Sequence, residues 1–409
     1  MLDKKIAIVG AGPGGLTLGS ILQKRNIPFV IFESDESPEI RDQGGSLDLH
    51  PSTGQAAIKE CGLYDEFTAI SRPEGDYSRV VLPDGTVLRD ENLKKKDENV
   101  NESVNSGDRP EIDRKDLRDL LLKSIDKSNI IWGKRVSEIR DDSSNKQKTI
   151  HFVDGESLQF DLVVGADGAW SKVRRLISDV IPHYSSITLV ELWAFNVSKD
   201  NPELSDYTGA GTCFMIDENK SVISQRCSND SIRIYVSLRV DENWQHDSGI
   251  NWDTPEAARQ QLVDGYFNEC AHEIKDAIIS AKDNLVIRPL YMLPIGYKWV
   301  HQVGVTLLGD SAHLMTPFAG EGVNTAMFDA LELANAITSG LDLDTSLRNY
   351  EKKLFKRAKY YAKDTWRNVQ VCFSKNGGEK LNDMFSGKLS AMIPMLLLYV
   401  YDTVTSIFE

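Results

Sequence analysis

The sequence predicts an α/β fold in which a parallel sheet carries an inserted antiparallel sheet and is followed by a long helix near the C-terminus. Three observations support this. Apolar β-branched runs at 6–9 and 28–32 flank a glycine-rich turn and a segment of helical periodicity. Between 181 and 293, short alternating segments such as 231–236 are typical of half-buried antiparallel strands. From Leu347 to Phe373, apolar and basic residues recur at helical spacing.

The opening strand leads into a GxGxxG turn, which predicts a Rossmann-like dinucleotide site. Gly10 permits the tight turn, Gly12 lets the backbone approach a pyrophosphate, and Gly15 allows helix and strand to pack closely. The helix that follows directs its N-terminal N–H groups and positive dipole end at the phosphates. Glu33 ends the second strand, where a carboxylate can accept a hydrogen bond from a ribose hydroxyl.

Composition excludes several classes of protein. The 409 residues suggest two to three domains, and 47 Lys+Arg against 61 Asp+Glu give a net charge of −14, which disfavours broad nucleic-acid binding. Five scattered cysteines without CxxC spacing argue against a disulfide framework and a zinc module, and the histidines lack HExxH spacing, so we expect no metal site.

The two ends of the chain predict a cytoplasmic protein without a transmembrane segment. No signal or transit peptide fits before the first strand. The apolar stretch 391–401 is too short to span a bilayer and is interrupted by Pro394. We expect it to form a helix packed on the body, with a membrane-surface or oligomer contact as the alternative. Monomer and homodimer both remain open.

Two further segments repeat the pattern of a buried strand followed by glycine and an acid, at 160–168 and 305–310. Each acid comes where a strand ends, at the edge where open parallel sheets bind ligands. The predicted nucleotide domain is therefore discontinuous, and the polar stretch 91–108 is expected to be an exposed loop or hairpin tip. The predicted domains are 1–70, 110–180 and 298–340 for nucleotide binding, 71–109 and 181–297 for substrate binding, and 341–409 as a C-terminal helical segment.

These motifs carry a resemblance to a known family. GAGPGG at 10–15, DGAWSKVR at 167–174 and GDSAHLMTPFAGEGVN at 309–324 resemble the three fingerprints of class A, single-component FAD-dependent aromatic hydroxylases. GGSLDLH at 44–50 and PEIDRKDLR at 110–118 are most similar to the tetracycline-inactivating flavin monooxygenases. The motifs keep the family's order from about residue 4 to 370.

The resemblance implies a monooxygenase with FAD as cofactor and NAD(P)H, with NADPH favoured, as co-substrate. Such an enzyme uses O₂ to hydroxylate a phenolic, aromatic or polyketide-like small molecule through a flavin C4a-hydroperoxide. The flavin performs the chemistry, so no catalytic side chain is assigned.

The resemblance also implies roles for individual residues in FAD binding. The ADP half would be held by Gly10, Gly12, Gly15 and Glu33. Asp48 and Arg114 would contact the cofactor, Asp310 would hold the ribityl chain, and Asp167 would line the cleft behind it. The backbone N–H groups predicted to face the flavin pyrimidine end are those of Gly322, Val323 and Asn324, and Arg41 would help to receive NADPH.

The resemblance is weaker where the substrate would bind. Pro317, Phe318 and Gly320 suit an apolar pocket wall beside the flavin. Tetracycline-inactivating relatives use a glutamine and an arginine to bind the polar edge of the drug, and Glu191 and Thr212 stand at those places. Neither reproduces the charge-assisted hydrogen bonds of an arginine. Our hypothesis is therefore a phenol, another small aromatic or a different polyketide rather than tetracycline itself.

Other interpretations stay open at the level of sequence. A non-catalytic flavin-binding redox sensor or scaffold is one, and a tetracycline-degrading enzyme proper is another. A simple NAD dehydrogenase would leave the second and third motifs without a role. A two-nucleotide enzyme would need a second GxGxxG, which Gly209 and Gly211 do not complete, and a flavin halogenase would carry a WxWxIP motif that is absent.

Several charged residues have ordinary structural explanations. We expect His50 and His313 to be hydrogen-bonded structural histidines. Arg118 is expected in a surface ion pair, and Arg226 and Arg233 at exposed strand positions. The basic positions of the long helix are expected to form a solvated face; they are Lys352, Lys353, Lys356, Arg357, Lys359 and Lys363.

Overall fold

A computed structural model of the chain describes residues 4–40, 44–96, 108–142, 147–282 and 285–387. Arg41, residues 97–107 of the polar stretch and the apolar stretch 391–401 lie outside the described residues. The described residues fall into two compact units. The first lies within Met1–Pro73, Ser106–Ser185 and Leu290–Trp366, and the second within Glu74–Asn105, Ser186–Pro289 and Arg367–Glu409.

The strands are numbered in chain order. They are β1 (Ile6–Val9), β2 (Phe29–Phe32), β3 (Ser46–Asp48), β4 (Ser78–Val81), β5 (Val87–Asp90), β6 (Glu111–Asp113), β7 (Ile130–Ile131), β8 (Val136–Asp142), β9 (Gln147–Phe152), β10 (Ser157–Phe160), β11 (Leu162–Gly165), β12 (His183–Ala194), β13 (Thr212–Asp217), β14 (Lys220–Cys227), β15 (Ser231–Arg239), β16 (Val286–Met292) and β17 (Val305–Leu307).

The α-helices are numbered in the same way. They are α1 (Pro13–Lys24), α2 (Gly54–Cys61), α3 (Tyr64–Ile70), α4 (Arg114–Lys123), α5 (Arg174–Ile177), α6 (Val197–Asp200), α7 (Pro202–Thr208), α8 (Trp244–Asp247), α9 (Pro255–Leu262), α10 (His272–Ile279), α11 (Asp310–His313), α12 (Gly322–Ile337), α13 (Leu343–Cys372) and α14 (Gly377–Phe385). Residues Glu91–Lys96 form a 3₁₀ turn within the polar stretch that the sequence predicts to be a loop.

The first unit is built on a five-stranded sheet in the order β17-β11-β1-β2-β7, whose neighbouring strands all run parallel. The four residues of β1 are at most 4% exposed, because a parallel sheet of apolar strands is covered on both faces. Helix α1 packs against α12 and α4. This confirms the predicted parallel sheet with its GxGxxG turn. Separate small sheets join β8, β9 and β10, and β3 with β6.

The second unit contains most of a seven-stranded sheet in the order β16-β12-β15-β14-β13-β4-β5. The pairs β12–β15, β15–β14, β14–β13 and β4–β5 are antiparallel as predicted, whereas β13 and β4 run parallel. Alternate residues such as Val190, Leu192 and Ile234 are fully buried in a core shared with α7, α9 and α10. Because side chains alternate across a strand, the neighbouring residues lie on the opposite face.

Arg118 corrects the expectation of a surface ion pair. It is 4% exposed, its Nη1 donates to the carbonyl oxygen of Pro38 at 2.6 Å, and its guanidinium lies over the ring of Trp132. A backbone carbonyl and an indole face therefore stabilise this cation inside the first unit. Within the described part of the chain, no helix combines the length and apolar character that crossing a membrane requires.

Candidate functional site

The glycine turn after β1 is closed toward the protein and open on the other side. Gly10 has φ +108°, and a Cβ there would lie 2.3 Å from the carbonyl oxygen of Ala166. A Cβ on Gly15 would lie 2.1 Å from the carbonyl oxygen of Gly10. A Cβ on Gly12 would meet nothing within 4 Å, and Gly12 is the N-cap of α1. The turn therefore has the form that a pyrophosphate needs to reach backbone N–H groups.

Glu33, which follows β2, is fixed against this turn. Its Oε2 accepts a hydrogen bond from the Ala11 N–H at 2.7 Å, and its Oε1 accepts from the Asp35 N–H at 3.0 Å. Each carboxylate oxygen can accept more than one hydrogen bond, so Oε2 keeps capacity for a further donor. The structure brings Glu33 to the glycine turn, and its contact with a ribose stays a prediction.

Asp167, which follows β11, lies beside the same turn, since its Cα would be 3.1 Å from a Cβ on Gly10. Its Oδ1 accepts from Ser171 Oγ at 2.5 Å, and its Oδ2 accepts from the Lys172 N–H at 2.6 Å. Burial raises the pKa of Asp167, and these hydrogen bonds oppose the rise. The carboxylate therefore fixes the loop that leads into α5, a role that sequence reasoning missed.

Asp310 follows β17 and is the first residue of α11. Its side chain is accessible to solvent, yet the surrounding protein raises its pKa, with the positive charges of His313, Arg114 and Arg174 opposing. This carboxylate is therefore open to a ligand while the protein around it perturbs its pKa. Perturbed carboxylates in such positions are candidates for ligand binding. The structure thus brings the predicted Arg114, which is exposed at the start of α4, within electrostatic range of Asp310.

The N-terminus of α12 is tied to the segment around β3 by one buried amide. Asn324 is fully buried; its Oδ1 accepts from the His50 N–H at 2.8 Å, and its Nδ2 donates to the carbonyl oxygen of Asp48 at 2.9 Å. A Cβ on Gly320 would lie 3.4 Å from Asp48 Oδ1. Asp48, Gly320 and Asn324 therefore come together. Sequence reasoning assigned only the backbone of Asn324 and missed its side chain.

The first turn of α12 is open where a ligand would meet its N–H groups. A Cβ on Gly322 would meet nothing within 4 Å, and Val323 is half-buried beside it. The helix has 16 residues, so its N-terminal dipole end is developed and favours negative charge. The open turns at Gly12 and Gly322 and the accessible Asp310 fit a long cofactor with a diphosphate and an electron-accepting ring.

His50 lies between two carboxylates near this helix end. Its Nε2 is 2.8 Å from Asp48 Oδ2, and its Nδ1 is 3.6 Å from Glu321 Oε2. Burial raises the pKa of Glu321, and the nearby His50 opposes the rise. The predicted pocket-wall residues come just before Glu321 in the chain. Pro317 is exposed, Phe318 is half-buried, and Gly320 has φ +66°.

The predicted substrate residues of the second unit share one face of its sheet. Glu191 on β12 accepts from Arg233 Nη2 at 2.9 Å and pairs with Arg288 Nε at 2.8 Å. Arg233 on β15 pairs in register with Gln225 on β14, which pairs with Thr212 on β13. Glu191 and Thr212 therefore point to the same side without being neighbours, because β15 and β14 separate their strands.

Arg233 and Arg226 correct a prediction, since neither is exposed. Arg233 is 2% exposed, with its guanidinium 3.8 Å from the centroid of the Trp193 ring, because Glu191 neutralises its charge and the indole covers it. Arg226 is half-buried and donates to the carbonyl oxygens of Gly209 and Ser205.

Arg357 also departs from its prediction of a solvated helix face. It is half-buried, and its guanidinium pairs with Asp329 at 2.6 Å and Glu332 at 2.5 Å. Sequence reasoning missed Asp329 altogether. The available signal was an acid at 329 among the apolar residues of the helix that begins near Gly322, a position that needs a partner when it is buried.

Comparisons with known proteins agree with this fold. The family model described as FAD binding domain matches residues 3–363. Monooxygenase penA of Penicillium thymicola is 33% identical over 435 aligned positions, covering 93% of this chain and 98% of that protein. The structure of Klebsiella pneumoniae HpxO complexed with FAD and uric acid has a TM-score of 0.75 at 20% identity, covering 95% of this chain and 96% of that one.

A second solved structure, tetracycline destructase Tet(51), has a TM-score of 0.68 at 18% identity and covers 95% of this chain and 98% of that chain. At these identities the structural likeness concerns the fold. The family expected from the three motifs is confirmed by the family match and the penA similarity. The chain belongs to the FAD-binding-domain family of monooxygenases and is a flavin-dependent oxidoreductase.

Proposed function

We propose that the chain is a monooxygenase that binds FAD in its first unit and takes reducing equivalents from NAD(P)H, with NADPH favoured. It uses O₂ to hydroxylate an electron-rich phenolic, aromatic or polyketide-like small molecule. One observation carries the proposal. Four neighbouring strands of the parallel sheet are each followed, within three residues, by one of the proposed binding features. Asp310 follows β17, Asp167 follows β11, the glycine turn follows β1, and Glu33 follows β2. Ligands of open parallel sheets bind at this edge.

FAD, when bound, supplies the redox chemistry and the activation of oxygen. The backbone of Gly12 and the first turn of α1 hold the diphosphate, and Glu33 accepts from a ribose hydroxyl. Asp310 accepts from the ribityl hydroxyls. The N–H groups at the start of α12 stabilise negative charge at the pyrimidine end of the ring.

The polar face of the second unit's sheet supports a substrate with hydrogen-bond donors. Glu191 forms ion pairs with the guanidinium groups of Arg233 and Arg288 on this face, which hold its carboxylate in one orientation. Such a carboxylate binds an N–H or O–H group of an aromatic ring, while the half-buried Trp193 and Tyr235 supply aromatic surface. HpxO in complex with uric acid provides an example of a nitrogen heteroaromatic ligand in the same fold. In the first unit, the apolar Pro317–Phe318 segment helps to exclude water from the reacting ring.

The test is a coupled-turnover screen. Purified protein is reconstituted with FAD and assayed with NADPH and with NADH against phenols, nitrogen heteroaromatics and polyketides, under ¹⁸O₂. We expect at least one substrate class to accelerate NADPH oxidation and to gain one labelled oxygen by mass spectrometry. Protein that stays colourless with FAD contradicts the cofactor site. NADPH oxidation that yields only hydrogen peroxide with every compound favours a redox sensor or scaffold instead.

Tetracycline serves as a separate arm of the screen. Because Glu191 and Thr212 cannot supply the guanidinium that a tetracycline-binding relative uses, we expect tetracycline absorbance to persist with enzyme, NADPH and oxygen. Rapid loss of that absorbance makes the chain a tetracycline-degrading enzyme and overturns this part of the proposal.

A further inference from the structure

We propose that Asp329 is a positioning residue for FAD, which acts by holding the Gly309–Asp310 turn. The inference rests on the proposed role of Asp310. Asp329 lies inside α12 and is fully buried. Its Oδ2 accepts from the Gly309 N–H at 3.0 Å and from His313 Nε2 at 2.5 Å, and its Oδ1 accepts from Arg357 Nη2 at 2.6 Å.

The turn depends on this carboxylate because of its backbone geometry. Gly309 has φ +59°, and a Cβ there would lie 3.0 Å from the Cβ of Ala326 on α12. Its carbonyl accepts from the N–H groups of Ala312 and His313, while its own N–H is bonded to Asp329. The bond from Asp329 therefore fixes the Leu308–Gly309 peptide, and with it the direction in which the chain leaves β17 toward Asp310.

Acidic and basic side chains balance each other beside the Gly309–Asp310 turn. Asp329 and Glu332 face Arg357, whose Nη1 donates to Glu332 Oε2 at 2.5 Å. His313 is attracted to both Asp329 and Asp310. Replacing Asp329 by a neutral residue leaves the buried His313 and the half-buried Arg357 with less compensation beside the turn, which costs more than the loss of one hydrogen bond.

Asp329 also joins the two elements that carry the proposed flavin contacts. It lies on the same helix as Gly322 and Asn324, five to seven residues beyond them, and it binds the turn that presents Asp310. A carboxylate that belongs to the helix and bonds to the turn holds the ribityl-binding acid and the pyrimidine-facing helix in one fixed arrangement. Residues that orient ligand-binding groups in this way commonly change ligand affinity when they are replaced.

The first measurement is FAD release on dilution of the holoenzyme, followed by flavin fluorescence. Asp329→Asn keeps the size of the side chain but removes its charge, and its single amide oxygen cannot accept both from the Gly309 side and from Arg357. We expect the dissociation constant for FAD to rise about 10- to 100-fold. If this variant does not fold, His313→Gln removes the ring and the charge that hold Asp329 Oδ2 in place. We expect it to weaken FAD binding by less than the loss of Asp329 itself, and wild-type FAD affinity in His313→Gln overturns the inference.

A double-mutant cycle separates positioning from general loss of stability. Asp310→Asn, Asp329→Asn and the double variant are compared for FAD affinity. If Asp329 acts through the turn, the double variant binds FAD within about threefold of Asp310→Asn alone, since the second change removes support for a contact already lost. If the two changes instead raise the dissociation constant for FAD by independent factors that multiply in the double variant, the inference is wrong.

Tyr350→Phe is the matched control. The Tyr350 hydroxyl donates to the carbonyl oxygen of Leu307 at 2.9 Å, so the variant removes a buried hydrogen bond at the same strand without touching the turn. We expect its FAD affinity to equal that of the wild type; an equal weakening in this control overturns the positioning role. If the wild type itself binds no FAD, the proposed function fails, whereas wild-type release rates in Asp329→Asn refute only this inference.

Discussion

Asp310 and Asp329 show how position within one unit gives two acids different chemistry. Desolvation by the surrounding protein raises the pKa of Asp310, and the positive charges of His313, Arg114 and Arg174 oppose this only in part. Burial also opposes ionisation of Asp329, but His313 and Arg357 outweigh it and lower its pKa. Environments that move the pKa values of neighbouring acids apart separate their roles. Asp329 is thus an internal ion, and Asp310 is the acid that a ligand can reach.

Asp310→Ala tests this assignment directly. We expect the variant to lose FAD, because the accessible carboxylate has no substitute at the end of β17. The free energy of unfolding without FAD should stay the same or rise, since a raised pKa means that folding disfavours the ionised acid. Absorbance of bound flavin and urea unfolding measure the two effects. Asp126→Ala, at an exposed acid of the same unit, is the control, and stoichiometric FAD in Asp310→Ala refutes the site.

His313 gives a prediction for pH. Burial alone lowers its pKa, but attraction and hydrogen bonding to Asp329 outweigh burial and raise it above the ordinary value of 6.5. A group whose pKa is raised on folding contributes stability below its unfolded pKa and loses it as the pH rises through the folded value. We therefore expect the apoprotein to lose unfolding free energy above about pH 6.5.

The measurement compares urea unfolding of the wild type and His313→Gln over that pH range. The difference between the two proteins should shrink as the pH rises, because the neutral glutamine does not titrate. Using the difference removes the contribution of the other histidines. A difference that stays constant with pH shows that His313 does not carry the charge in the folded protein.

At the scale of single elements, two glycines of the same turn have different roles: Gly15 is needed for folding and Gly12 for binding. A Cβ on Gly15 would lie 2.1 Å from a backbone oxygen, whereas a Cβ on Gly12 would lie in open space. We expect Gly15→Ala to cost about 3 kcal/mol of stability or more, because the backbone must move. Gly12→Ala should fold normally but raise the dissociation constant for FAD at least about tenfold, or about 1.4 kcal/mol.

Thermal unfolding and FAD titration of the two variants check this pair. Equal loss of stability in both contradicts the open side of the turn. Undiminished FAD affinity in Gly12→Ala contradicts the placement of the diphosphate there.

The polar sheet face gives a prediction for substrate. Glu191→Gln keeps an oxygen that can accept from Arg233 but loses the charge. Hydrogen bonds to charged groups are worth about 1.5–3 kcal/mol. We therefore expect KM for the substrate found in the screen to rise about tenfold or more, with FAD content unchanged. Glu203→Gln, at an exposed acid of the same unit, is the control, and an unchanged KM in Glu191→Gln removes Glu191 from the substrate site.

At the scale of the whole molecule, the net charge of −14 does not describe the proposed cofactor site. Arg114, Arg174 and His313 surround Asp310 with positive charge, and two helix N-termini add positive dipole ends. An anionic dinucleotide can therefore bind a protein whose overall charge has the same sign, because short-range fields outweigh the screened distant ones.

Ligand linkage gives a prediction at this scale. A ligand that binds only the folded state stabilises it by about 2.7 kcal/mol at 100 times its dissociation constant. Excess FAD should therefore raise the midpoint of the FAD-sensitive thermal transition by several degrees, and differential scanning calorimetry with increasing FAD measures it. Asp310→Ala should show no such rise, and a rise of equal size in that variant refutes the linkage through this site.

The sequence by itself determined the parallel sheet, the glycine turn and the family, because these depend on local patterns. Gly15 is required by a contact within one strand–turn–helix unit, and Gly10 by its positive φ. The apolar runs of β1 and β2 predict burial without knowledge of their partners. The acids after β11 and β17 could likewise be placed, since parallel strands present their carboxyl ends at one edge.

Only the tertiary structure decided where the charged residues lie and what they do. Arg233, Arg118 and Arg357 look like surface residues in the sequence, yet each is withdrawn from solvent to some extent by a partner 28 to 80 residues away or by an aromatic face. Asn324 and Asp329 make side-chain bonds to β3 and to the turn after β17 that no local pattern encodes. The physical reason is that a buried charge or amide requires a specific partner, and folding alone brings that partner to it.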